Sequence, residues 1–324
     1  MSKTIHSYSS LLFIAFLILS NTACIHAQDN SFIADSLDKY VLKTDIHYGD
    51  HERQVFDLVL PDTNSLYPLV VFIHGGGFKN GDKVHAFERY MKGVKKLMDN
   101  KVAFATINYR FLEHSDNGVM TCLEDGRYCV QHLKHYALDY NIDPDKIVAF
   151  GESAGAGMSL WLALSDNMAD STNTDPVCHE SSRICAAGAF ATQSTYDILR
   201  WEEVFEDWDV TFDNLPMPLK RPILDFYGAE HYNDLKKDEF VKYRKDLDFF
   251  ELMSQDDPPI WVRNNSSDGH PLFFDTQHHP LHAKYLKTYA EKAGVEHMVF
   301  APALNITDES EETLMDFFLR ILTE

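Results

Sequence analysis

Residues 146–164 read KIVAFGESAGAGMSLWLAL. The apolar run 146–150 suits a short buried strand, and 158–164 is apolar enough for a buried helix. Between them, Gly151-Glu152-Ser153-Ala154-Gly155 fits G-x-S-x-G in the context that pattern requires, a strand before it and a helix after it. A serine on so sharp a turn has a strained backbone and needs tiny neighbours, hence glycine at both ends. Its hydroxyl then projects at a helix N-terminus, where the dipole favours a developing anion.

Working outward, residues 67–74 (YPLVVFIH) form a buried strand that runs into His74-Gly75-Gly76-Gly77-Phe78. Three glycines let backbone N–H groups approach an oxyanion, and the N–H of Ala154 would complete the hole. His74 is expected to brace this loop rather than act as a base. Strands are also expected at 54–60, 102–109, 146–150, 186–191, 260–263 and 297–301. Helices are expected at 87–100, 121–140, 281–293 with Gly294 as its stop, and 311–322. The alternation is that of an α/β layer fold with a mostly parallel central sheet and helices on both faces. Residues 192–257 break the pattern and read as a long insertion, a candidate lid. Trp201 and Trp208 in it serve either core packing or stacking on a sugar ring.

The chain of 324 residues is 45% hydrophobic and 24% charged, a globular profile. Fifty acidic against 29 basic residues leave a net charge of −21, which argues against nucleic acid as a partner. Lys3, the apolar run 11–19 and the small residues up to Ala27 read as a secretory signal peptide, with the mature chain at 28–324 forming a single domain. Export to the periplasm or the extracellular space is expected, and a lipoprotein anchored at Cys24 is the alternative. No stretch approaches the roughly 18 apolar residues of a transmembrane helix.

Of the other cysteines, Cys122 and Cys129 fall seven residues apart on one helix, about 10.5 Å of rise and too far for a direct bridge. Cys178 with Cys185 is the easier pair, and four reduced thiols are the alternative. No His or Cys spacing matches a structural zinc site, so no metal and no cofactor are assigned.

HGGGF at 74–78, INYRF at 107–111 and GESAG at 151–155 resemble the α/β-hydrolase fold. Within it they are similar to the hormone-sensitive-lipase and carboxylesterase-like esterases, including bacterial enzymes that deacylate plant polysaccharides. The resemblance implies Ser153 as nucleophile and Gly75, Gly76 and Ala154 as oxyanion donors. It also implies an acid just beyond a strand tip. Counting from the strand at 260–263 gives Asp268, while counting back from the helix ending at Gly294 gives Asp275. The strand anchor favours Asp268.

Such enzymes keep the triad histidine on the loop after the last strand, here 300–307, which contains none although the chain has 16 histidines. Candidates to replace it are His270, His278, His279 and His282, with His279 or His278 preferred and His279 chosen. Pro280 suits the first turn of the following helix, which places both on the loop at its N-terminus. Three functions are open: a secreted serine esterase acting on small or carbohydrate-linked esters, a pseudoenzyme that binds a ligand without a base, and a peptidase of the same fold. Oligomeric state is not legible.

Overall fold

In the strand Tyr67–Ile73, Leu69, Val71 and Ile73 face one side and Val70 and Phe72 the other, all fully buried. A strand apolar on both faces must lie inside a sheet covered on both sides. The computed structural model describes residues 32–323 apart from 209, 216, 273, 274 and 309. The signal peptide read at 1–27, with Cys24, lies outside the described residues.

Among the described residues there are eight strands: β1 (Val41–His47), β2 (Val55–Leu60), β3 (Tyr67–Ile73), β4 (Ala103–Ile107), β5 (Ile142–Glu152), β6 (Ala187–Phe190), β7 (Ile260–Arg263) and β8 (His297–Phe300). They form one sheet in the order β1-β2-β4-β3-β5-β6-β7-β8. β2 is antiparallel to its neighbours β1 and β4, and every pairing from β4 onward is parallel.

The longer helices are α1 (His85–Asp99), α2 (Val119–His135), α3 (Ala154–Leu164), α4 (Met217–Tyr227), α5 (Asp238–Lys245), α6 (Leu281–Ala293) and α7 (Leu314–Thr323). α1 and α7 cover one face of the sheet through Phe87, Leu97, Phe317 and Phe318, while α2, α3 and α6 cover the other. Each fully buried side chain of this size contributes about 1.5–3 kcal/mol. α3 is buried all round because the sheet, α2 and the segment between β6 and β7 enclose it.

The differences from the expected elements have local causes. β1 was not anticipated: it is an edge strand, half exposed, and Lys43, Asp45 and His47 interrupt its apolar pattern. The expected helix 121–140 breaks at Tyr136, and its last turn ends at Asn141 in the left-handed conformation. β5 starts earlier than expected and carries Pro144, which falls where the register with β3 shifts between Tyr67 and Leu69.

No disulfide forms among the described residues. Cys122 and Cys129 are buried in α2, and burial pushes the Cys122 thiol up to about 12. The easier pair does not form either: Cys178 is free, and Cys185 donates its thiol to the Asp145 carbonyl at 3.0 Å. No described helix is long and apolar enough to cross a membrane.

Candidate active site

The C-terminal ends of β3, β5, β6 and β7 meet at one edge of the sheet. Ser153 stands between β5 and α3 with φ 50° and ψ −113°, held by a hydrogen bond from its N–H to the Phe190 carbonyl. The flanking glycines are there for space. A Cβ on Gly155 would lie 2.0 Å from the Ile73 carbonyl oxygen, and one on Gly151 would lie 2.4 Å from that same oxygen. The elbow is thus pressed against the end of β3. Tyr196 lies across the first turn of α3 and donates to the Ala154 carbonyl, and a Cβ on Gly157 would overlap its hydroxyl.

The glycine loop after β3 bends back over this elbow. Gly76 has φ 115°, and a Cβ there would sit 2.1 Å from the Asn80 carbonyl oxygen, so only glycine fits the turn. A Cβ on Gly75 would lie 3.4 Å from that of Ser153. His74 is fully buried, stacked on Tyr109 at 4.4 Å, with Nδ1 2.7 Å from the Gly75 carbonyl and Nε2 3.3 Å from Arg53. Its burial lowers its pKa to about 4, so it is a neutral brace for the loop.

Nε2 of His278 lies 2.7 Å from Ser153 Oγ, and Nδ1 of the same ring lies 2.7 Å from Asp275 Oδ2. An ionised carboxylate only accepts hydrogen bonds, so Nδ1 carries the proton and Nε2 accepts from the serine hydroxyl. Asp275 Oδ1 also accepts from the backbone N–H groups of Gln277 and His278. The His278 hydrogen bond leads the interactions that hold the Asp275 carboxyl below its ordinary range. Asn264, buried just past β7, donates to the carbonyls of His278 and His279 and fixes the loop from beneath.

Two expected residues stand elsewhere. His279 turns away from Ser153: its Nε2 bonds to the Gly269 carbonyl, its Nδ1 accepts from Leu281 N–H, and Phe205 meets its ring edge-on. Neighbouring residues in a turn point in different directions, and only His278 faces the serine. Asp268 is exposed on the loop five residues beyond β7, while Asp275 holds the ring of His278. Counting from the strand does not reach the carboxylate that meets His278, which stands twelve residues beyond β7. Asp275 and His278 are three apart within one turn, a spacing that is visible in the sequence.

The other candidates are structural. His282 is fully buried between Ser194 and the Thr276 carbonyl, and burial lowers its pKa to about 3. His270 packs edge-on against Trp208. The loop after β8 is closed by a bridge between Ala301 and Ile306 and contributes nothing to Ser153. No group of His, Cys, Asp or Glu among the described residues is arranged to hold a metal ion.

A cavity of about 310 Å³ opens over Ser153. Gly76, Gly77 and Ala154 border it beside the serine, Gln277 borders it beside His278, and Phe78, Tyr196, Trp201 and Phe226 give it an aromatic wall. Trp201 and Phe226 come from the segment between β6 and β7.

The overall fold is shared with known structures. The chain superimposes on a truncated form of a carbohydrate esterase from gut microbiota with a TM-score of 0.64 at 17% identity, covering 89% of this chain and 98% of that one. The family model named BD-FAE matches residues 56–211. The chain has an α/β-hydrolase fold. An acetyl ester-xyloside bifunctional hydrolase from Caldicellulosiruptor lactoaceticus shares the fold at a TM-score of 0.54 and 16% identity, over 82% of this chain and 85% of that one. Among curated relatives, "Probable isoprenylcysteine alpha-carbonyl methylesterase ICMEL1" of Arabidopsis thaliana is 27% identical over 165 residues, 51% of this chain and 33% of its own length. The chain spans a third or less of the length of the curated relatives it matches.

Proposed function

We propose that the protein is a serine esterase that hydrolyses carboxylic esters, carbohydrate-linked ones among them, by way of an acyl-enzyme on Ser153. The observation that carries this reading is the continuous chain of 2.7 Å contacts from Ser153 Oγ through His278 to Asp275. Nε2 of His278 takes the hydroxyl proton as Oγ attacks the ester carbonyl, and Asp275 stays ionised and stabilises the imidazolium. The carbonyl oxygen, now an oxyanion, accepts from backbone N–H groups of the glycine loop and Ala154. When the intermediate collapses, His278 returns the proton to the leaving alcohol, and water deacylates Ser153 by the same route.

The absence of a histidine after β8 would favour a binding protein without a base, but the 2.7 Å contact between His278 and Ser153 supports a base supplied from the turn before α6. The esterase names of structural and curated relatives support the reading further. The signal-type segment at 1–27 supports an enzyme that acts outside the cytoplasm. Turnover of p-nitrophenyl acetate, together with labelling of Ser153 by a fluorophosphonate, tests the proposal. The expected result is hydrolysis and a single adduct, both lost in Ser153→Ala, and wild-type turnover equal to that variant would refute it.

A further inference from the structure

α4 separates two spaces. Pro222, Ile223 and Phe226 face the cavity over Ser153, whereas Arg221 and Asp225 on the same helix face a second, more open cleft of about 550 Å³. Lys79 and Leu112 line both, so the spaces adjoin at the end of the glycine loop. Lys79 reaches from that loop to Asp225 on α4 at 3.0 Å, and Arg221 holds the other oxygen of Asp225 at 2.8 Å. The junction is therefore built from side chains already committed to each other.

The lining of the outer cleft is unlike that of the inner cavity. It has no aromatic ring, and it presents Glu113, Asp116 and Glu230 in addition to the neutralised Asp225, four carboxylates against two cations. Gly118 and Gly228, both with positive φ, bring the two walls close together: a Cβ on Gly118 would meet the backbone of Phe226 to Gly228 at 2.6–2.9 Å. A carboxylate-rich cleft open to solvent accepts hydrogen bonds from hydroxyl or ammonium groups and repels carboxylates. A purely apolar ester would gain nothing from it.

We propose that this outer cleft is the subsite for the polyhydroxylated portion of the ester substrate, and that its carboxylates select neutral or cationic sugars over uronic acids. The inference rests on the esterase reading for its substrate. Its test needs no turnover, so the two can fail separately.

Ser153→Ala protein is titrated by ligand-observed NMR with acetylated methyl β-xyloside, with acetylated methyl β-glucuronoside bearing a free carboxylate, and with glucosamine. The xyloside and glucosamine are expected to bind, and the glucuronoside at least tenfold more weakly than the xyloside. Adding Glu113→Gln, Asp116→Asn and Glu230→Gln should shrink that gap to threefold or less. All three residues are exposed, and thermal melting confirms that the variant is folded. If no sugar binds, if the glucuronoside binds as well as the xyloside, or if the gap survives the three substitutions, the assignment is wrong.

Discussion

Nδ1 of His278 and Oδ2 of Asp275 are 2.7 Å apart although the two residues are separated by only three positions in the chain. One turn thus supplies both the ring that meets Ser153 and the carboxylate that holds that ring. Asp275 also receives two backbone N–H groups of that turn, so the carboxylate that orients the ring is itself oriented by the ring's own backbone.

His278→Ala should reduce kcat/KM for p-nitrophenyl acetate by about a thousandfold or more, as should Ser153→Ala. Asp275→Asn, which disturbs the tautomer, should cost about 10²–10⁴ in kcat. Asp268→Asn should stay within about threefold of wild type, as expected of an exposed loop residue away from the transition state. Steady-state kinetics of the four variants decide the assignment, and a large loss at Asp268 with none at Asp275 would reverse it.

Asn264→Ala removes the support beneath the His278 carbonyl and leaves buried polar groups unpaired, at a cost of about 1–3 kcal/mol in stability. Because the substrate does not touch Asn264 in the proposed mechanism, kcat should fall more than KM rises. Urea denaturation and kinetics on the same preparation separate the two effects. A rise in KM alone would argue against a positioning role.

The glycines of the site should differ sharply under substitution. Gly155→Ala forces a Cβ to 2.0 Å from the Ile73 carbonyl oxygen, and Gly76→Ala forces one to 2.1 Å from that of Asn80. Neither neighbour is a flexible side-chain end, so these variants should lose at least about 1–3 kcal/mol and the elbow or loop geometry with it. Gly77 has φ 62° but nothing within 4 Å of its Cβ position. Gly77→Ala should therefore fold, at a strain of about 1–2 kcal/mol. Melting temperatures rank the three.

Acid should destabilise the fold through its buried histidines. His74, His132 and His282 have pKa values lowered by burial to about 4, 4 and 3, against about 6.5 when unfolded. Above pH 6.5 neither state is protonated at these positions and they contribute no pH dependence. As the pH falls from 6.5 toward 4, the unfolded chain takes up protons that the folded chain refuses, so stability declines. Asp275, with its pKa depressed, acts in the same direction further down, losing its contribution as pH falls below the ordinary carboxylate range. Melting temperatures between pH 7.5 and 4.5 should fall, and His132→Gln should reduce the slope.

The parallel strands were legible because burial on both faces leaves uninterrupted apolar runs, as in β3, β4 and β7. The elbow and the glycine loop were legible because their geometry admits so few residue types. β1 was not, since an edge strand need not be apolar. The acid and base were harder still. Between Arg263 and Leu281 the chain has no periodicity, and its path depends on the buried contacts of Asn264, His279 and His282, which involve the β6–β7 segment and the start of α6. Three histidines within five positions then take three different directions, and propensity does not resolve a choice made at the level of one residue.

The turn at 275–278 also makes the proposed acid–base pair portable. Where acid and base come from loops after different strands, each must be placed independently against the nucleophile, and either can drift alone. Here both ride on the segment leading into α6, so a shift of that helix would carry them away from Ser153 together while leaving their mutual contact intact. Transplanting this one loop with its Asn264 support would move two-thirds of the proposed triad in a single graft.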